Sequence, residues 1–597
     1  MYRLLLTLAV LSLVATAQVT TQHNDTARTG QILTETILTP ANVNATRFGK
    51  LFATGVDGFV MGQPLYLPQL TMGDGSVHNV VFAATMHDSV YAFDAQNGTV
   101  LWTRSMLPLQ AGTVPIGAQG CPATGLKEVG ILSTPVIDPA NNTIFVVAKT
   151  QEAGGYVFRL HALDVTTGLD KAIPAVISGS VATTSGVTQF NAGPQMQRAG
   201  LLLSNGNVYV AFTSNGCDYG ATGWIMAYDE NTLSQTAIFN DDADQNFGGS
   251  IWQSGKGLAA DGAGNIFFAT ANGVANPSAG DFGESIVRLT GSLNYTDYFS
   301  PNIYAYLNSD DYDIGSGGVI LLPDQPGLAP HLLVGGGKEG TVYLLNRDNL
   351  GQLNMSADQA VQEIQGGNPT VAGGGTGAAY WNNNIYYAST GGLRMFSLNN
   401  GALTPVSIPT AASKISGKGL PSVSANGAAN GIVWVLRGPN YSSTALAAYN
   451  ATGMAQLYAS TQAANGRDTL GATGHFATPT IANGRVYVGT QTQLVIYGLL
   501  PQLKTYSGNN QSGTAGATLT KPLQTKAVDS YSGLAQPNEV ITFTDNGAGG
   551  SFNPPTATTN ASGIAGTIYT LPSVAGTVKI TANSNGFAAA NWVETAY

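Results

Sequence analysis

One short pattern recurs down this chain, and it limits the folds open to it more than any other feature. Its clearest copy is VYAFDAQNGTVLW, Val90 to Trp102, where an alternating apolar strand runs into an Asp, an Asn-Gly turn and a Trp. Further copies are LHALDVTTG (Leu160 to Gly168), IMAYDENTL (Ile225 to Leu233), IVRLTGS (Ile286 to Ser292), VYLLNRDNLG (Val342 to Gly351), RMFSLNNG (Arg394 to Gly401), LAAYNATG (Leu446 to Gly453) and QLVIYG (Gln493 to Gly498). The physical sense of the unit is a strand with one apolar side, an Asx residue that bonds its own turn backbone, and a Gly free to take positive φ; the weaker copies lack one of these. Where the Trp is present it can lie across the next unit. Asp94 to Asp164 spans 70 residues, Asp164 to Asp229 spans 65, and Asn346 to Leu398 and Leu398 to Asn450 span 52 each. Short strands repeated at such a period predict a β-propeller, whose four-stranded sheets bury their faces against one another. Eight copies predict eight blades. Seven is the rival count, because the fourth copy is the weakest.

The two ends of the chain differ from this pattern. Met1 to Ala17 has a basic residue, an apolar run from Leu4 to Val14 and a small-x-small site at Ala15-Thr16-Ala17, the layout of a secretory signal peptide. Residues 18–47 are polar and weakly periodic, and they are expected to form an arm lying against the propeller of residues 48–500. Lys50 to Val60 is expected to supply the strand that closes the ring with the last repeat. No later stretch reaches the ~18 apolar residues of a membrane span, so the mature chain is expected outside the cytoplasm and not embedded in a membrane. The chain has 24 Lys and Arg against 34 Asp and Glu, for a net charge of −10, which argues against nucleic acid as a partner. The partners left open are a small molecule, a carbohydrate or a protein surface.

Within the propeller, STPVID (Ser133 to Asp138), GSGGVILLP (Gly315 to Pro323), GGGTGAAYW (Gly373 to Trp381) and FATPTIANGRVYVGT (Phe476 to Thr490) read as inner strands opened by small residues. Past Leu500 the pattern changes. From Leu503 to Tyr597, strands of Val, Ile, Thr and Phe alternate with Gly, Asn and Pro turns, which predicts a separate β-sandwich. This stretch resembles the bacterial Ig-like domains of adhesins, modules that act as spacers or binding elements.

AFDAQNGTVLW and HALDVTTG resemble the A-x-D-x-x-T-G-x-x-x-W repeat of the quinoprotein propellers, which include the pyrroloquinoline quinone (PQQ) dehydrogenases and non-enzymatic assembly scaffolds. Four longer stretches are similar to the dehydrogenases and follow their order. TSNGCDYGATGWIMAYD resembles S-G-A-E-x-G-x-R-G…A-Y-D and places Asp218 at a calcium-binding Glu. GGSIWQSGKGLAADGAGNIFFATANGVANP resembles a segment running from G-G-x-x-W to T-G-N-P, which implies Trp252 as the ring-stacking Trp and Asn272 as a calcium ligand. SDDYDIGSGGVILLPD resembles H-D-x-W-D-Y-D…P-V-L-x-D and implies Asp311 as the catalytic base. GKEGTVYLLNRDNLG resembles K-N-G-x-x-Y-x-L-D-R-x-x-G and implies Lys338 as the basic residue facing the quinone. Together the resemblance implies PQQ and calcium, with the cation polarising the quinone and Asp311 taking a proton.

The chain also departs from that pattern. The adjacent cysteine pair of the dehydrogenases is absent, Glu is shortened to Asp218, the His before the catalytic Asp is missing (Leu307, Asn308 and Ser309 precede Asp310), and Thr222 replaces the Arg after Gly220. Two readings follow: a binding or scaffolding propeller with an Ig-like spacer and a degenerate cofactor site, or a PQQ- and calcium-dependent alcohol or sugar dehydrogenase. Strand counting places the loops carrying Asp218, Asn272, Asp311 and Lys338 on one mouth of the channel, the expected ligand site. Cys121 and Cys217, an even pair without metal-ligand spacing in a secreted chain, are expected to form a disulfide. Blander readings stand beside these. Asp218, Asp311 and Asp313 fit turns, Trp252 a core position, and Lys338 an exposed pair with Glu339. His87-Asp88 and His475 lack a nucleophile, and DDADQN (Asp241 to Asn246) opens like a calcium loop but has Phe247 where Gly is needed.

Overall fold

The computed structural model describes residues 17–597, apart from 108–113, 116–127, 185, 215–220, 245–247, 365–376, 390–391, 408, 410–418 and 531–532. The chain is nearly all β. From residue 48 to 499 the described strands form eight successive antiparallel sheets of four main strands, each an up-and-down meander. The first runs Leu65–Thr71, Val77–Ala84, Ser89–Asp94 and Val100–Ser105. In every sheet the recurring sequence unit is the third strand. After Ser89–Asp94 these are Gly155–Asp164, Trp224–Asp229, Ile286–Leu289, Val342–Asn346, Gly392–Asn399, Ser443–Asn450 and Gln493–Leu499. The fourth strand of the eighth sheet comes from the other end of the chain: Phe48–Gly55 pairs antiparallel with Gln493–Leu499, as expected from the sequence.

The turn chemistry works as the pattern implies. Asp94 Oδ1 accepts the amides of Gln96 (2.7 Å) and Asn97 (3.2 Å), and Gly98 takes φ 76°. Trp102 does lie across the next unit: its Nε1 donates to Val165 O at 2.9 Å, and its ring covers Gly168, where a Cβ would come within 2.6 Å. Trp381 repeats the arrangement on Gly427 and Gly431. The apolar core lies between sheets. One cluster joins the eighth, first and second sheets through Tyr487, Ile496, Phe82, Val90 and Ile144, and others link each following pair round to the seventh and eighth.

The N-terminal arm lies inside the ring, not against its outside. It meets the first strands of the sheets, or the residues just before them, in order. Val19 bridges Tyr66, Thr20 O accepts from Ile137 N (2.7 Å), and Arg28 reaches Leu201 O. Thr26 O, Ala27 O and Thr29 O then accept from Ala260, Leu321 and Tyr380. Gln31–Ile32 pairs parallel with Val423 and Ser424, and Glu35 accepts from Gly484 N. A segment whose backbone bonds go to six sheets, and whose Arg28 and Glu35 side chains reach the other two, has no single-sheet periodicity, which is why it reads as weakly patterned.

Residues 502–596 build two further sheets. One contains Gln502–Ser507, Leu523–Val528, Ile564–Thr570 and Ser551–Asn553; the other contains Ser512–Gly513, Ala590–Ala596, Gly576–Asn583, Val540–Thr544 and Thr556–Thr558. Leu503, Ile541, Phe543, Tyr569, Ile580 and Trp592 fill a core of their own between them. No helix among the described residues is long and apolar enough to cross a membrane.

Candidate functional site

Asn272 lies in the loop between the second and third strands of the fourth sheet, and Lys338 in the equivalent loop of the fifth. Between those sheets the chain forms a short helix, Tyr304–Ser309, passes Asp311 and Asp313, and makes a tight turn at Ile314–Gly317. Three predicted site residues converge here. Asn272 Nδ2 donates to Asp311 Oδ1 at 3.0 Å, and Lys338 Nζ lies 2.8 Å from the same oxygen. Asp311 takes φ 58°, a left-handed conformation that Asp tolerates better than most residues.

Lys338 is not paired with Glu339 in solvent. Its amine also sits 2.8 Å from Asp313 Oδ2, and its side chain is 15% exposed. Its amide donates to Asp313 O, and Gly337 is needed because a Cβ there would run into that carbonyl. Burial pulls the Lys338 pKa down, but the Asp313 and Asp311 carboxylates outweigh it and the net shift is upward. Asp313 is buried, and desolvation raises its carboxyl despite Lys338. Glu284 completes the group. Its Oε2 accepts from Ile314 N at 2.8 Å, while burial, then Asp313, push its pKa up to about 8.

Sequence reasoning passed over Glu284 and assigned Asp313 to a turn. The only available signal was the pair of acids in Asp311-Tyr312-Asp313, whose backbone is left-handed at Asp311 and not a strand. Asn272 Oδ1, Asp313 Oδ1 and Glu284 Oε1 are buried without a hydrogen-bond partner, so hard oxygen donors are present for a cation. Among the described residues, however, no three His, Cys, Asp or Glu side chains close on a point as a metal centre. Asp218, Cys121 and Cys217 lie outside the described residues.

Trp252 is half-buried. Its ring meets Phe476 edge-on at 5.3 Å and 80°, and Phe476 in turn touches Tyr441 and His475. Its segment is tied to the Asn272 loop, since Gly249 N donates to Asn272 O at 2.8 Å and Ala271 N to Ser250 O at 3.0 Å. Ser250, Gln253 and Ser254 all take positive φ (47°, 48° and 51°), local strain of a kind that collects at ligand sites. Asp241 and Asp242, from the rejected calcium-loop pattern, are fully buried. Desolvation lifts Asp241 to about 8, and desolvation with the Asp241 and Asp281 charges lifts Asp242 to about 9.

No protein-family model and no curated protein matches the chain. Among solved structures it is similar to the quinohemoprotein alcohol dehydrogenase from Comamonas testosteroni, at 14% identity and TM-score 0.53 over 81% of this chain and 80% of that one. A second is the quinohemoprotein alcohol dehydrogenase ADHIIG from Pseudomonas putida HK5, at 12% identity and TM-score 0.51 over 82% and 83%. BamB from Moraxella catarrhalis aligns at 12% identity and TM-score 0.42 over 76% of this chain and 99% of that one. The first two likenesses show the fold, a β-propeller.

Proposed function

We propose that this chain is a secreted, eight-bladed quinoprotein-like propeller that binds a small ligand at the Asn272–Asp311–Lys338 mouth, with residues 503–597 as an Ig-like spacer. The observation that carries this reading is the shared ammonium of Lys338. Two carboxylates that a dehydrogenase would need for its cation and its base are both held by one amine at 2.8 Å. Such a pair is stable in a partly buried site, and breaking it leaves Asp313 as an uncompensated buried charge. The mouth therefore resembles a polar recognition site more than a cradle awaiting a divalent ion.

A second reading, a PQQ- and calcium-dependent dehydrogenase, is favoured by the convergence of Asn272, Asp311 and Lys338 and by the unpartnered oxygens of Asn272, Asp313 and Glu284. On that reading Asn272 and Asp313, with Asp218, would hold calcium, and Trp252 would pack against the cofactor. Lys338 would turn toward a cofactor oxygen and release Asp311 to accept the alcohol proton. When bound, the quinone supplies a two-electron acceptor. Calorimetry with PQQ and calcium, followed by dye reduction across alcohols and sugars, separates the two. The expected outcome is no turnover. Turnover that is lost in Asp311→Asn would transfer the assignment to the dehydrogenase.

A further inference from the structure

A second candidate site lies on the face of the ring opposite the Asn272–Asp311–Lys338 mouth, and the proposed function does not use it. In a meander, the turn joining the first two strands opens at the other end from the loop joining the second and third. In the first sheet that turn spans residues 72–76. Gly75 N donates to Met72 O at 2.9 Å and Met72 N to Ser76 O at 2.8 Å, with Gly75 at φ 85°. Ser76 enters the second strand, Val77–Ala84, and His78 follows two residues on, which sets their side chains on the same side. Asp94 ends the neighbouring third strand, Ser89–Asp94, opposite Val80.

These three side chains form one hydrogen-bonded chain. His78 Nδ1 lies 2.6 Å from Asp94 Oδ2, and His78 Nε2 lies 3.0 Å from Ser76 Oγ. A carboxylate only accepts, so Nδ1 carries the ring proton and Nε2 turns its lone pair toward the hydroxyl. Asp94 is a firm anchor for the ring: its side chain is 10% exposed, and its other oxygen is fixed by the amides of Gln96 and Asn97. The imidazole is 27% exposed and Ser76 is half-buried, so solutes reach both. A nucleophile, a base and an orienting acid, each within hydrogen-bond reach of the next, activate a serine for acyl transfer, and the arrangement is known by its geometry and not by its order in a sequence. The hydroxyl has one rival acceptor, because Asp74 Oδ1 lies 2.6 Å from the same Oγ. Asp74 is exposed, and water competes for it.

We propose that Ser76, His78 and Asp94 form a second active site, one that hydrolyses small esters. Ser76 Oγ adds to the acyl carbon as its proton passes to His78 Nε2. The ester C–O bond then breaks, and the leaving alcohol takes that proton away. Water adds to the acyl carbon in the same manner, the carboxylic acid departs and the serine hydroxyl is restored, so no other reactant is consumed. Asp94 is the positioning residue: it holds the imidazole in the productive tautomer and balances the charge the ring gains. Gly73 N, at the tip of the turn, bonds no acceptor among the described residues and is free to meet the developing oxyanion. A hydroxyl on an exposed turn, with one amide for the oxyanion, suits an ester; the nitrogen of an amide leaves less readily and demands a more enclosed site.

The test uses the full chain and diisopropyl fluorophosphate, which transfers its phosphoryl group to an activated serine and releases fluoride. The expected result is one adduct, located on Ser76 by mass spectrometry of the digested protein, and a slow turnover of p-nitrophenyl acetate that the adduct abolishes. The urea-unfolded chain is the control and should not react, so this comparison needs no variant. Ser76→Ala should lose both reactions, and His78→Gln should slow both about a hundredfold, the usual contribution of a general base. Asp94→Asn keeps an acceptor for the turn amides but no longer fixes the tautomer. It should lower kcat at least about tenfold, with KM and the melting temperature unchanged. Asp74→Ala leaves His78 as the one acceptor of the hydroxyl and should react at least as fast as the parent. The proposal is overturned if the folded parent takes up no label on Ser76 or if His78→Gln reacts like the parent. It is equally overturned if Asp74→Ala abolishes the reaction, which would make Asp74 the base.

Discussion

At the scale of single residues, this protein keeps many acids away from water, and their protonation ties its stability to pH. Asp241 and Asp242 have folded pKa values of about 8 and about 9, against ordinary values near 4. A carboxyl raised in this way holds in the folded state a proton that the unfolded chain has released. Its contribution is therefore fully present below pH of about 4 and is lost as pH rises through about 8 to 9. The melting temperature should fall steadily from about pH 5 to pH 9. Asp242→Asn, which is neutral at every pH, should flatten that slope and add about 2 kcal/mol at pH 9. Calorimetric scans of both proteins across this range check the claim. An unchanged slope in the variant would place the dependence elsewhere.

At the scale of elements, the N-terminal arm deserves comparison with any blade, because a polar segment inside the ring must satisfy every donor it buries. Arg28 is its hub. The guanidinium donates to Leu258 O at 2.8 Å, Thr21 Oγ1 and Gln22 O at 2.7 Å and Leu201 O at 3.2 Å, and it lies where Gly257 has no Cβ. His23 sets its two ring nitrogens 2.6 Å from Arg28 O and 2.7 Å from Pro421 O; burial, then the Lys256 charge, pulls its pKa down, while the two carbonyls oppose the shift because only the protonated ring can donate to both. Arg28→Met fills similar space but leaves those acceptors without a donor. It should cost about 3–5 kcal/mol, measured by denaturant unfolding. A loss below about 1 kcal/mol would mean that water replaces the guanidinium and that the arm is not a structural seal.

At the scale of the whole molecule, the eighth sheet and the C-terminal pair of sheets belong to separate apolar cores. Leu503 N donates to Ala588 O and Ala588 N to Pro501 O, which keeps both within the second unit; Ser530 Oγ reaches back to Leu500 O at 2.5 Å. The sandwich core draws only on residues 503–596. Residues 501–597 expressed alone should therefore fold, with cooperative melting and blue-shifted emission from the buried Trp592. The shortened chain that remains should keep its own transition. A fragment that stays unfolded would show that the two units share one folding event.

The sequence alone determined the parts of this protein that rest on local chemistry. Asx and Gly turns after an alternating strand identify the third strand of most of the sheets, because turn geometry is decided within a few residues. The change of pattern past Leu500 marks the sandwich for the same reason. The order of motifs also brought Asn272, Asp311 and Lys338 to one mouth, since strand parity fixes the face on which a loop opens. Only the tertiary structure decided the rest. His23 meets Pro421 across 398 residues and Arg28 meets Leu258 across 230, and no local period encodes such a path. Burial did the same for Asp313, Glu284 and Asp88: an Asp in a turn and an Asp in a desolvated cleft are spelled alike, and they differ only in what the remainder of the chain packs around them.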